Sequence, residues 1–243
     1  MTHAIVIFAL AVEAFATPEP PLGPTGLLCE FQRTPALGVR AQPHFSWIVP
    51  ACKDGSDHQQ AAYQIIVSDD KGTQLWDSGK VMGGDSTYVA YAGPALKQAS
   101  RYSWSVTTWT QGSGGSSCQS EPSAPATMVT ALFSGWDTAA KYISAPNAST
   151  FAYLRKEVAS PAAAVVSALA YVSAPLETPL LASYKVYIDG ELIDVGPGRG
   201  EAPVWDGDGV FRSLPYATLD VTKLFAPTPP PPKNGAGMTM DPV

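Results

Sequence analysis

Arg101-Tyr102-Ser103-Trp104-Ser105-Val106-Thr107-Thr108-Trp109 is the cleanest period-two stretch in the chain. In an extended strand successive side chains point to opposite faces, so Tyr102, Trp104 and Val106 share one face and Ser103 and Ser105 the other. A helix would scatter the same residues around its circumference. The stretch is therefore a strand with one face on a core, and its surroundings read alike. His44-Phe45-Ser46-Trp47-Ile48 alternates, and Ala62-Tyr63-Gln64-Ile65-Ile66-Val67-Ser68 is rich in β-branched and aromatic residues. That strand ends in an Asp69-Asp70-Lys71-Gly72 turn, with Gln74-Leu75-Trp76-Asp77-Ser78-Gly79 as its hairpin partner. Thr87-Tyr88-Val89-Ala90-Tyr91 supplies another strand. No segment of 27–133 carries a helical period, so this region is predicted to be one all-β sandwich.

A second unit is expected over 134–225. Phe151 to Val158 reads as a strand, and the Ala-rich run Ala162–Val172 leans towards a buried strand through its Val-Val and Tyr-Val pairs. Ser183 to Ile193 is the strongest hairpin, because Asp189-Gly190 tolerates the positive φ angles of a type I′ turn. Tyr216–Phe225 closes the unit. The 226–243 tail opens on Pro227-Thr228-Pro229-Pro230-Pro231-Pro232, which is stiff and has no apolar pattern to build a core. Between Gln111 and Ser117 a Gly/Ser run marks a hairpin tip rather than a rigid site.

The totals agree with this organisation. A chain of 243 residues that is 45% hydrophobic has room for one or two cores, and 23 Pro with 21 Gly suit short strands joined by turns. A net charge of -6 without a basic patch disfavours nucleic acid as a partner. At the start, the apolar Ala4–Val12 followed by Ala14-Phe15-Ala16 reads as a signal peptide over 1–16, which predicts a secreted, extracellular protein. That run is too short to cross a bilayer, so no membrane insertion is expected. Cys29, Cys52 and Cys118 allow one disulfide with one thiol left over, or three buried thiols, and their spacing fits no zinc site. Asn147-Ala148-Ser149 is an N-glycosylation sequon.

Leu96 precedes Tyr102 by six residues, a spacing that resembles the tyrosine corner of fibronectin type III sandwiches. Several further segments, in order, resemble the N-terminal region of α-L-rhamnosidases. They are Leu28-Cys29-Glu30-Phe31 with Pro43-His44-Phe45-Ser46-Trp47, then Trp76-Asp77-Ser78-Gly79-Lys80-Val81, then Leu96 to Val106. Trp136 with Lys141-Tyr142-Ile143 and Leu154-Arg155-Lys156-Glu157, Tyr187-Ile188-Asp189-Gly190 and Thr218-Leu219-Asp220-Val221-Thr222 complete the set. The resemblance implies a fibronectin-III- or immunoglobulin-like β-sandwich followed by a jelly-roll-like one. In that family an α/α-toroid catalytic domain comes next and carries the acidic catalytic pair, and this sequence does not contain it. The implied role is a non-catalytic accessory or carbohydrate-orienting region of a glycoside hydrolase whose parent reaction removes terminal α-L-rhamnose. On that reading the chain is inactive alone and its intended docking partner is the catalytic domain. The alternative is a stand-alone secreted carbohydrate-binding or cell-surface recognition protein.

The residues themselves name no catalytic set. Glycoside hydrolysis needs two carboxylates facing each other across the scissile bond, and the acids here are scattered over hairpins and loops. There is no G-x-S-x-G elbow, and His44 and His58 belong to no recognisable triad. The best sugar-contact candidate is the irregular stretch from Gly196 to Phe211. It carries Arg199, Glu201, Trp205, Asp206 and Asp208, that is, one stacking face, one cation and three acceptors for a rhamnose-containing glycan. No cofactor is expected. Calcium is the one metal the acidic loop admits, although the position where an EF-hand closes with Glu holds Ala217.

Overall fold

The computed structural model describes residues 22–52, 57–138, 140–141, 143, 152–159, 165–174, 183–196 and 216–225. These residues form an all-β protein, as the alternating pattern predicts. In chain order the strands are β1 (Thr25–Cys29), β2 (Ala36–Val39), β3 (His44–Ile48), β4 (Gln59–Asp69), β5 (Gln74–Asp77), β6 (Val81–Met82) and β7 (Val89–Ala90). They continue with β8 (Arg101–Gln111), β9 (Ser117–Gln119), β10 (Ala126–Thr130), β11 (Leu169–Val172), β12 (Tyr184–Ile188), β13 (Glu191–Gly196) and β14 (Ala217–Asp220). A 3-10 turn over Thr222–Phe225 follows. One sheet has the order β1-β3-β7, and a larger one the order β2-β10-β8-β4-β5, with β6 also on β4 and β9 on β8. β11 pairs with β14 and β12 with β13, both antiparallel.

Packing divides the chain into two compact units. The first holds the chain up to Arg33 together with His44–Gly93 and Ser103–Ala126. Its core is set by β8, whose side chains alternate between buried and half-buried along almost its whole length. Trp104 is 1% exposed and its ring lies 4.4 Å from that of the fully buried Phe45 on β3. Phe45 in turn meets Tyr91 edge-on at 6.3 Å. Ile65 and Val67 of β4 and Val106 of β8 fill the same interior. Towards its end β8 turns polar without leaving the core, and Thr108 stays satisfied because its N–H donates to Ser120 Oγ at 2.9 Å. Cys52 and Cys118 form a disulfide. Cys29 remains a buried thiol, and burial, reinforced by the nearby Glu30 charge, pushes its pKa up to about 12.

The string Trp76–Val81 in this unit is explained residue by residue. Trp76 packs edge-on against Tyr91 at 4.8 Å, over Gly93, where a Cβ would come within 2.6 Å of the Trp76 ring. Asp77 accepts from Gln64 Nε2 at 2.8 Å and from the Gly79 N–H at 2.8 Å. Ser78 trades hydrogen bonds with Ile65, accepting its N–H on Oγ at 2.8 Å and donating its own N–H to the Ile65 carbonyl at 3.0 Å. Gly79 takes a φ of 60°, Lys80 places Nζ 4.3 Å above the Trp109 ring, and Val81 pairs with Tyr63. Each residue serves the edge of β4, so the string is a scaffold signature.

The second unit comprises Thr34–Pro43, Pro94–Tyr102 and the chain from Thr127. The tyrosine corner is present: the Lys97 N–H donates to the Tyr102 hydroxyl at 2.9 Å, and both Leu96 and Tyr102 are buried. β2 runs parallel to β10, with Ala36 beside Met128. Further along, Tyr216 donates nothing to the backbone but accepts the Leu132 N–H at 2.8 Å and meets the rings of Trp136 and Tyr171 edge-on. The Asp189-Gly190 turn takes φ values of 50° and 84°, both positive as a type I′ hairpin requires.

Two expectations change. Residues 152–159 form no strand and are exposed, with Tyr153 at 95% and Val158 at 80%. A period-two pattern becomes a strand only where a neighbouring edge takes its backbone hydrogen bonds, and no described strand pairs here. In the Ala-rich run, β11 covers only Leu169–Val172 and is half-buried rather than fully buried.

Candidate functional site

Arg199, Glu201, Trp205, Asp206 and Asp208 lie outside the described residues, as do Asn147 and the 1–16 segment. Gly196, where the candidate loop was expected to start, is the last residue of β13. Its absent side chain matters, because a Cβ there would come within 2.1 Å of the Tyr184 ring. The described residues contain no group of three or more His, Cys, Asp or Glu that could hold a metal ion.

Two clusters stand out among the described side chains. In the second unit, Arg101 and Asp220 form an ion pair with Nη2 and Oδ2 2.6 Å apart. The other oxygen of Asp220 accepts the Thr222 hydroxyl at 2.6 Å and the Thr222 N–H at 3.1 Å. Thr222 Oγ1 also accepts the Ala168 N–H at 3.0 Å, next to β11. Burial pushes the Asp220 carboxyl up, but the Thr222 hydroxyl, the Arg101 guanidinium and the Thr222 N–H outweigh it and hold the pKa below the ordinary carboxylate value. A carboxylate so held stays ionised and is unsuited to act as a general acid. The cluster is a structural tie between the start of β8 and the end of β14.

The second cluster is in the first unit, where β1 and β7 meet β3. His44 and Phe45 pair with Ala90 and Val89, a register that would next set Tyr88 opposite Ser46. Instead the Tyr88 N–H turns to the Ser46 hydroxyl at 2.9 Å, Tyr88 takes a φ of 57°, and its ring falls flat on His44 with centroids 3.8 Å apart and planes 5° from parallel. After β1 the chain makes a tight turn, closed by reciprocal Cys29 and Gln32 backbone hydrogen bonds of 3.0 and 2.9 Å. Glu30 and Phe31 at its tip take φ of 49° and 61°. This turn brings Phe31 onto Tyr88 at 5.2 Å and 9°. Glu30 Oε1 accepts the His44 N–H at 3.0 Å and lies 3.1 Å from His44 Nδ1.

Positive φ at three non-glycine residues costs about 1–3 kcal/mol each. That cost does not bring these rings into the core, since Phe31 is 64% and Tyr88 44% exposed. Sequence reasoning missed the cluster. It assigned His44 to an alternating strand and Tyr88 to another, and a left-handed bulky residue carries no Gly or Asn to announce it.

The β-sandwich with its tyrosine corner places the first region among immunoglobulin-like domains. Residues 24–134 match the N-terminal immunoglobulin domain of Rha78A-like proteins. The chain is 40% identical over 121 residues to an α-L-rhamnosidase of Streptomyces avermitilis, covering 48% of this chain and 11% of that protein. It is 41% identical over 73 residues to one of Formosa agariphila, covering 28% and 8%. The solved structure of an α-L-rhamnosidase from Dictyoglumus thermophilum superposes with a TM-score of 0.51 at 26% identity, over 84% of this chain and 24% of that one. The resemblance to the N-terminal region of α-L-rhamnosidases read from the sequence is thus shown, and the chain spans a quarter or less of these relatives.

Proposed function

We propose that this chain is a secreted accessory region of an α-L-rhamnosidase-type glycoside hydrolase, one that scaffolds and orients carbohydrate and does not cut it. The observation that carries this reading is the extent of the similarity: 84% of the chain is accounted for by 24% of a solved α-L-rhamnosidase. The described carboxylates support it, because they are committed to structure. Asp69 caps its own turn through the Thr73 and Lys71 N–H groups, Asp77 holds Gln64 and Gly79, Asp194 accepts the Tyr184 hydroxyl and Asp220 holds Arg101. The Cys52–Cys118 disulfide supports export, since such bonds persist in oxidising compartments. Rhamnose-containing glycan is the proposed ligand class and the catalytic domain of the parent enzyme the proposed docking partner. The Gly196–Phe211 stretch, with calcium as its possible ion, keeps its place as a candidate contact. The test is hydrolysis of an aryl α-L-rhamnoside by the purified chain. No turnover is expected, and turnover that disappears with replacement of a single carboxylate overturns the reading.

A further inference from the structure

We infer that Phe31 and Tyr88, set by Glu30 and His44, form a contact platform for a neutral pyranose ring on the first unit. The inference rests on the accessory reading and names a ligand class and a surface for it. Four observations carry it. First, Tyr88 lies parallel both to His44 and to Phe31, within 5° and 9°, so the outward ring surfaces are aligned in one direction. Second, those surfaces face solvent, with Phe31 64% and Tyr88 44% exposed, whereas the neighbouring Cys29 and Phe45 already fill the interior. Third, the platform is fixed before any ligand arrives. The Cys29–Gln32 backbone pair, the Glu30 N–H on the His44 carbonyl at 2.9 Å, the Glu30–His44 contact and the Tyr88 N–H on Ser46 Oγ leave the turn little freedom to lose on binding. Fourth, among the described residues the Tyr88 hydroxyl has no hydrogen-bond partner, so it can serve a sugar hydroxyl at the rim.

The chemistry selects the ligand. An aromatic face carries the negative lobe of its quadrupole and attracts the slightly positive C–H groups on the flat side of a pyranose. A 6-deoxyhexose such as rhamnose replaces one hydroxyl-bearing carbon by a methyl, which enlarges the apolar side. Glu30 beside the stack and a net charge of -6 oppose a uronic acid. The surface is a platform rather than a pocket, so affinity for one sugar ring will be weak, on the order of millimolar.

The experiment is saturation-transfer NMR with methyl α-L-rhamnopyranoside and, separately, galacturonic acid, on the full chain and on Phe31→Gly and Phe31→Tyr. The wild type is expected to transfer saturation to the rhamnoside and not to galacturonate. Phe31→Gly relieves the positive φ, so its melting temperature should not fall, yet its rhamnoside affinity should drop about tenfold, the loss one stacking contact carries. Phe31→Tyr should keep the affinity. Absence of transfer in the wild type, full transfer in Phe31→Gly, or equal transfer to galacturonate overturns the platform. So does sedimentation that shows a wild-type dimer made monomeric by Phe31→Gly without a change in transfer, which would make this face a contact between copies of the chain. Aryl α-L-rhamnoside turnover measured on the same samples reports separately on the accessory reading, because neither Phe31 variant removes a carboxylate.

Discussion

Replacing Arg101 with Ala and Asp220 with Asn, singly and together, measures how firmly the second unit is tied. The two side chains come from positions 119 residues apart and are each about three-quarters shielded, at 24% and 22% exposed. At that depth their attraction is about 4 kcal/mol at an effective dielectric of roughly 20, and desolvation removes much of it. A charge-assisted hydrogen bond of 2.6 Å leaves a net of about 1.5–3 kcal/mol. The coupling energy from the cycle should fall in that range, against about 0–1 kcal/mol for an exposed pair. In urea, with a slope of about 2–3 kcal/mol/M, either single replacement should lower the midpoint by about 1 M. Fluorescence of Trp136, whose ring meets Tyr216 at 5.7 Å, follows the unit concerned.

The pH dependence has a definite sign. The folded pKa of Asp220 lies below its ordinary value, so folding favours the ionised form. The stability this contributes is complete above the unfolded pKa, about 3.9, and is lost as the pH falls through the folded value. The cycle should therefore give its full coupling at pH 7, begin to lose it near pH 4, and approach zero only once the pH is below the folded pKa. A coupling under about 0.5 kcal/mol at pH 7, or one that strengthens in acid, refutes the argument that this cluster ties β8 to β14.

Trp104→Ala should destabilise by about 3–5 kcal/mol, since the ring is 1% exposed and stacks on Phe45. Trp104→Phe should cost clearly less, because the indole N–H has no hydrogen-bond partner and its removal relieves part of the loss; equal losses in thermal melts would contradict this. Reducing Cys52–Cys118, which closes a separation of 66 residues, should lower stability by about 4 kcal/mol on the chain-entropy account, as read from urea midpoints with and without reductant. Cys29, 2% exposed and with its pKa near 12, should resist iodoacetamide at pH 8 in the native protein and react once the protein is unfolded.

The parts legible in the sequence are those written locally. β8 shows its period in nine consecutive residues, Asp189-Gly190 names its turn type, and the tyrosine corner needs only the spacing from Leu96 to Tyr102. What escaped the reading depends on residues far apart. Nothing near Arg101 points to Asp220, and the cysteine count left Cys52–Cys118 as one choice among several. The strand expected over Phe151–Val158 has the right pattern but no described partner, and pattern alone does not supply an edge. The Phe31–Tyr88–His44 stack is hardest of all, because it exists only where two strands break their ladder, and bulky residues hold the positive φ.

The segments that carry the rhamnosidase resemblance are also the ones that hold the sandwich together. Trp76–Val81 secures the edge of β4, Leu96–Tyr102 forms the corner, and Asp220 with Thr222 binds Arg101 and Ala168. Such residues are constrained by packing and hydrogen bonds whatever the protein does, so a shared set of them transfers a fold and leaves activity open. A difference in ligand must then lie where the scaffold makes no demand. Two places meet that condition: the reworked stretch after Gly196, which departs from the family pattern, and the exposed faces of Phe31 and Tyr88, which the core does not use. The second is held at a cost in backbone strain with no return in burial. If that strain served folding, glycine at position 31 would be neutral in every assay. If it serves recognition, the same change should keep stability and lose sugar, and the divergence of those two readouts separates scaffold from site.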